Sequence, residues 1–110
     1  GKSFDTGNAM GPWIVTADEI SNSRDLKVQV RVNGEVWGNS STSSMIHSFE
    51  DMIAYISECE TLHVGEFFGS GTMAGCCSLE CDRWMKDGDV IEVEFERIGV
   101  LRNPVKRLKK

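Results

Sequence analysis

The chain of 110 residues has no long apolar run. A helix that crosses a bilayer needs about 20 predominantly apolar residues, so no membrane-spanning helix is expected. The N-terminus also lacks the basic-then-apolar pattern of a secretory signal, and a cytoplasmic location is the expectation. Positive charge is in short supply: 12 Lys and Arg stand against 17 Asp and Glu, a net charge of −5. Contact with phosphates needs a basic surface, which argues against a nucleic-acid partner. The one basic cluster, Lys106 to Lys110, reads as a solvated tail. Histidine is scarce too, with only His47 and His63. Neither has a cysteine or serine nucleophile at a recognisable spacing, so both are expected to be structural or exposed.

Cys59, Cys76, Cys77 and Cys81 are even in number but form no disulfide framework, because two are adjacent and secretory context is lacking. The spacing of Cys77 and Cys81 is not that of a zinc site, and no second Cys or His pair lies at the right distance. Reduced thiols packed as small buried side chains are expected.

What remains is an ordinary globular composition, 40% apolar and 26% charged, fitting one domain with a modest core. The clearest local signal runs from Leu26 to Gly38. Val28, Val30 and Val32 alternate with Lys27, Gln29 and Arg31, which puts the valines on one face of a strand. Asn33-Gly34 can take the positive backbone angles of a tight hairpin, and Glu35-Val36-Trp37 begins the return strand. The polar run from Asn39 to Ser44 reads as a loop. Ser48 and Asp51 then form the start of a helix whose apolar stripe is Phe49, Met52, Ile53 and Ile56, ending near Ser57.

Gly65 and the pair Gly69/Gly71 bracket a short predicted strand, Glu66-Phe67-Phe68. Asp87-Gly88 turns the chain into a longer one from Val90 to Glu96, with Ile91, Val93 and Phe95 inward and Glu92, Glu94 and Glu96 as its wet face. Ile98 to Leu101 would be the last strand, stopped near Pro104. Trp13, Trp37 and Trp84 are expected as core or interface aromatics. The fold class is α+β, rich in strands, with one main helix and neither internal repeat nor linker.

Several motifs follow one another along nearly the whole chain: Lys2-Ser3-Phe4-Asp5-Thr6, Gly11-Pro12-Trp13-Ile14-Val15-Thr16, Asp18-Glu19-Ile20, Gly71-Thr72 and Ile98-Gly99-Val100-Leu101-Arg102-Asn103. Together they resemble the C-terminal part of the fumarylacetoacetate hydrolase family. The resemblance implies a partial mixed β-sandwich roll and metal-dependent hydrolase, isomerase or decarboxylase chemistry on 2-oxo and 1,3-diketo acids. It implies catalytic roles for Lys2, where a fixed ammonium stabilises developing oxyanion charge, for Thr6, which orients water or an acid group, and for Glu80 in acid–base or water-positioning work. Gly71 and Thr72 would bind substrate oxygens, since a glycine-rich turn offers backbone N–H groups and a hydroxyl to an anion.

A complete family site would hold magnesium or manganese, or calcium in some members. The resemblance places the metal carboxylates upstream of Lys2, however, and the Glu-x-Glu pair of the family is not the Glu92/Glu94/Glu96 strand. This chain alone is therefore expected to bind no metal, because a hard cation needs several oxygen ligands. The expectation is a partial catalytic domain spanning residues 1–110: an inactive remnant, the substrate side of a two-part enzyme whose N-terminal partner brings the acidic ligands, or a non-catalytic oligomeric binding module. An apolar face and sheet edges left uncovered would favour a homo-oligomer.

Overall fold

The computed structural model describes residues 4–108. Four strands form one antiparallel sheet: β1 (Lys27–Val32), β2 (Glu35–Ser41), β3 (Val90–Phe95) and β4 (Gly99–Pro104), in the order β2-β1-β3-β4. One helix, α1 (Phe49–Ser57), and two 3-10 turns, Ala17–Glu19 and Thr42–Ser44, complete the described elements.

The hairpin forms where the valine alternation places it. Asn33 and Gly34 both take positive φ, 52° and 82°, as a tight turn matched to strand twist requires. Asn33 also ties this turn to the sheet centre. Its side-chain carbonyl accepts from the Val90 N–H (2.9 Å), and its amide donates to Asp89 (2.8 Å). A bulge between Val30 and Arg31 shifts the register so that Val30 pairs with Gly38 but Arg31 with Val36, leaving Trp37 unpaired.

Period-two alternation separates two chemically different faces. Val28, Val30 and Val32 pair directly with Phe95, Val93 and Ile91, and Val93 in turn with Leu101, giving one apolar face. The core sits there: Leu26, Val28, Val30 and Val32 are buried, closed at one end by the buried Thr42 hydroxyl, which accepts from the Leu26 N–H at 2.9 Å. On the opposite face Arg31 pairs with Glu92 (3.2 Å) and Glu94 (2.7 Å), and Arg102 reaches Glu92 at 3.5 Å. The side chain of Glu92 is only 24% exposed. The face expected to be plain wet carboxylate is thus a half-covered ion-pair cluster in which Arg31 neutralises its neighbours.

The Gly11-Pro12-Trp13 segment crosses the apolar face. The Trp13 indole donates to the Ile98 carbonyl at 2.6 Å, and its ring lies so close to Gly99 that a Cβ there would meet it at 2.6 Å. Two motifs 85 residues apart in the chain are therefore one packing unit.

Four expectations need correction. Glu66-Phe67-Phe68 is not a strand: the chain turns at Val64-Gly65, and the Glu66 carboxylate accepts from the His63 N–H at 3.0 Å. Strand propensity alone cannot make a strand without a neighbour to pair with. Asn39 to Ser41, read as loop, continue β2, because sheet pairing with Lys27–Gln29 outweighs their polar character. The last strand runs to Pro104, which is tolerated because β4 lies at the sheet edge. The cysteines are not a buried set: Cys59 and Cys81 are exposed, and Cys76 and Cys77 half-buried. Trp13 and Trp84, 59% and 68% exposed, lie outside the core, which leaves them the interface alternative of their expectation.

Candidate functional site

The Ser70–Met73 segment stands between two cavities. The larger, about 670 Å³, lies among the sheet end at Phe95, the α1 residues Phe49 and Ile53, and the segment from Ile20 to Arg24. Gly71 lines it. The smaller, about 330 Å³, is lined by Thr72, His47 and Met52. Met45, Ser70 and Met73 border both, so the glycine-rich turn forms a shared wall. Gly71 has φ +105° with open space around its Cα, a conformation that leaves the backbone accessible to a ligand.

The walls are mostly apolar with a few polar groups, as small-molecule sites generally are. Arg24 lines the larger cavity and is steadied by a hydrogen bond from its guanidinium to the Met45 carbonyl at 3.0 Å. It is a permanent cation beside the Gly71 wall. Sequence reasoning passed over Arg24, which sits in an unremarkable polar run from Ser21 to Asp25. It also left His47 isolated, whereas the fold brings it to the Thr72 side. No local signal marked either residue; only the return of residues 70–73 beside α1 does.

Glu80 sits elsewhere in its surroundings. Its carboxylate accepts from the N–H groups of Gly75 (3.1 Å) and Cys77 (2.9 Å), and these bonds hold its pKa below the usual glutamate value. It is a fixed anion that shapes its own loop. Thr6 occupies a turn closed by the Gly7 N–H and Phe4 carbonyl at 2.9 Å, with φ 65°. Among the described residues, no hydrogen bond joins Thr6, Thr72 and Glu80 to one another. Lys2 lies outside the described residues.

Among the described residues, no group of three or more His, Cys, Asp or Glu side chains could hold a metal ion. The most concentrated carboxylates, Glu92 and Glu94, are engaged by arginines instead. No helix among the described residues is long and apolar enough to cross a membrane.

Sheet, helix and paired cavities together define an α+β domain with a glycine-containing turn that faces both cavities. Residues 1–106 match the family described as fumarylacetoacetate (FAA) hydrolase C-terminal, and the chain belongs to that family. It is 39% identical over 106 residues to the mitochondrial oxaloacetate tautomerase Fahd2a of Rattus norvegicus, covering 96% of this chain and 34% of that protein. Among solved structures it resembles the fumarylacetoacetate hydrolase of Exiguobacterium antarcticum, with TM-score 0.78, 38% identity, and coverage of 87% of this chain and 35% of that one. The maleylpyruvate hydrolase of Sphingobium sp. SYK-6, solved with manganese(II) and pyruvate, aligns with TM-score 0.75 and 28% identity over 87% of this chain and 34% of that one. The chain thus spans about a third of the length of these relatives.

Proposed function

We propose that this chain supplies the substrate-facing wall of a fumarylacetoacetate hydrolase-family site for a small 2-oxo acid, and that it does not hold the divalent metal by itself. The observation that carries the reading is the Ser70–Met73 turn shared by two cavities, with Arg24 on one side and His47 on the other. A 2-oxo acid presents a carboxylate and an adjacent carbonyl. Exposed N–H groups, the Thr72 hydroxyl and a fixed guanidinium suit such oxygens. The relatives support the substrate class, since one is named for oxaloacetate and another was solved with pyruvate. The manganese in that structure supports a metal-dependent family, while the lack of a three-carboxylate or histidine cluster among the described residues supports dependence on carboxylates from elsewhere. Lys2, Thr6 and Glu80 enter the proposal only through the family motif.

The test is amide NMR of the chain with oxalate, a mimic of an enolised 2-oxo acid, with and without magnesium. Oxalate is expected to shift the amides of Ser70 to Met73, magnesium alone to shift no cluster of carboxylate-bearing residues, and oxaloacetate tautomerisation by the chain alone to stay at the uncatalysed rate. Oxalate shifts elsewhere, or none, remove the substrate-wall reading. Tight magnesium binding or metal-dependent turnover by this polypeptide alone removes the other half.

A further inference from the structure

We propose that Cys77 and Cys81 are a redox-active dithiol that closes to an intramolecular disulfide, a modification site separate from the Gly71–Thr72 wall. Three of the four cysteines fall between residues 76 and 81, and the backbone coils tightly there. The Glu80 N–H donates to the Cys77 carbonyl and the Arg83 N–H to the Ser78 carbonyl, both at 3.0 Å. Cys81 therefore lies one turn beyond Cys77, and its Sγ is 3.3 Å from the Ser78 carbonyl oxygen and 3.9 Å from that of Cys77.

The Cys81 sulfur thus lies within side-chain reach of Cys77, and closure to a disulfide requires the two Cβ atoms to come to about 3.5–4.5 Å.

The loop is anchored at both ends. Glu80, between the two cysteines, clamps the N–H groups of Gly75 and Cys77. Beyond Cys81, Arg83 stacks over the Trp37 ring at 5.3 Å and pairs with Glu35 at 2.8 Å. The start of the loop lies against the bare backbone of β2, where a Cβ on Gly38 would collide with the Gly75 carbonyl oxygen and come within 3.0 Å of the Cys76 Cα. Cys76 is thus on the packed side. Burial, with the Glu80 charge adding to it, pushes the Cys76 thiol up and makes it the poorer nucleophile. Of the three loop cysteines Cys81, exposed, is the one an oxidant reaches first.

With hydrogen peroxide as oxidant, the Cys81 sulfur attacks a peroxide oxygen, the O–O bond breaks, and Cys81 becomes a sulfenic acid as one water leaves. The Cys77 thiolate then attacks the Cys81 sulfur, forming the S–S bond and expelling the second water. The two sulfurs together lose two electrons and the two thiol protons end in water. A small-molecule dithiol reverses the change by exchange. In a reducing compartment such a bond is transient, which is how sensing disulfides behave.

The experiment treats the reduced chain with hydrogen peroxide and counts free thiols. A drop from four to two is expected, with recovery to four in dithiothreitol and no intermolecular species on a non-reducing gel. Cleavage after glutamate cuts between Cys77 and Cys81 at Glu80, so the link appears as two joined peptides, and fragmentation separates Cys77 from Cys76. Cys59→Ser and Cys76→Ser should still lose two thiols, and Cys81→Ser should form no intramolecular link. Mapping of the unsubstituted chain decides the matter even where a variant folds poorly. A link through Cys76 or Cys59, one that survives Cys81→Ser, or four thiols left free overturns the proposal.

Discussion

Gly99 shows how one residue couples distant motifs. Its φ of +126° and the Trp13 ring leave no place for a side chain. Gly99→Ala combines backbone strain with displacement of a half-exposed indole and should cost about 2 kcal/mol, read as a lower urea midpoint with unchanged slope. Tryptophan emission should shift to longer wavelength as Trp13 lifts from β4. An unchanged midpoint would mean that the contact contributes nothing. A second residue-scale expectation concerns acid. Glu80 is held below its ordinary pKa by the Gly75 and Cys77 N–H groups, Asp51 by the Ser48 hydroxyl and N–H, and Asp89 by the Lys86 N–H and Asn33. A carboxyl with a depressed folded-state pKa stabilises fully above its unfolded value and loses that contribution as pH falls through the folded value. Stability should therefore be flat from neutral pH to about 5 and decline below about 4. Denaturant titrations at stepped pH check this, and stability rising on acidification would contradict it.

At the scale of elements, those set by local chemistry were legible in the sequence. Asn33-Gly34 marked the hairpin, and Ser48 with Asp51 marked α1, where both halves of the capping box form: Asp51 N–H to the Ser48 hydroxyl at 3.0 Å and Ser48 N–H to the Asp51 carboxylate at 2.8 Å. Ser48→Ala should remove about 1 kcal/mol of stability, and most of that loss should persist in a background lacking the Asp51 carboxylate, because the hydroxyl accepts from the backbone N–H of residue 51. Paired chemical denaturation of the single and double variants measures it, and a loss that disappears in that background would show that the hydroxyl acts only through the carboxylate. What was not legible depended on partners distant in sequence. Glu66 to Phe68 have strand composition but nothing beside them, while Asn39 to Ser41 look like loop yet pair with Lys27–Gln29. The candidate site divides the same way. Gly71 and Thr72 were visible as a motif, whereas Arg24 and His47 join them only because the chain folds back, and Glu80 turns to its own loop.

The whole molecule is far from closed. Its accessible surface is 8972 Å², against roughly 6,000 Å² for a folded monomer of this size, and its radius of gyration is 15.6 Å against about 13 Å. The excess of roughly 2,900 Å² is several times the ~800 Å² that each partner contributes to a standard interface. Much of it is apolar: Ile14, Ile46, Tyr55, Phe67 and Trp84 are all exposed. The sheet also ends in two edge strands among the described residues, β2 and β4, whose unpaired backbone groups invite a further strand. We propose that a second copy of the chain covers them, because identical chains bring identical edges and apolar faces to one another and satisfy both at once. Light scattering after size exclusion should give twice the chain mass, and Phe67→Lys should raise the dimer dissociation constant at least about tenfold by placing a charge in the covered patch. A monodisperse monomer at micromolar concentration would leave the cover to other polypeptide of the kind that makes up the remaining two thirds of the relatives, and the proposed self-association would then be wrong.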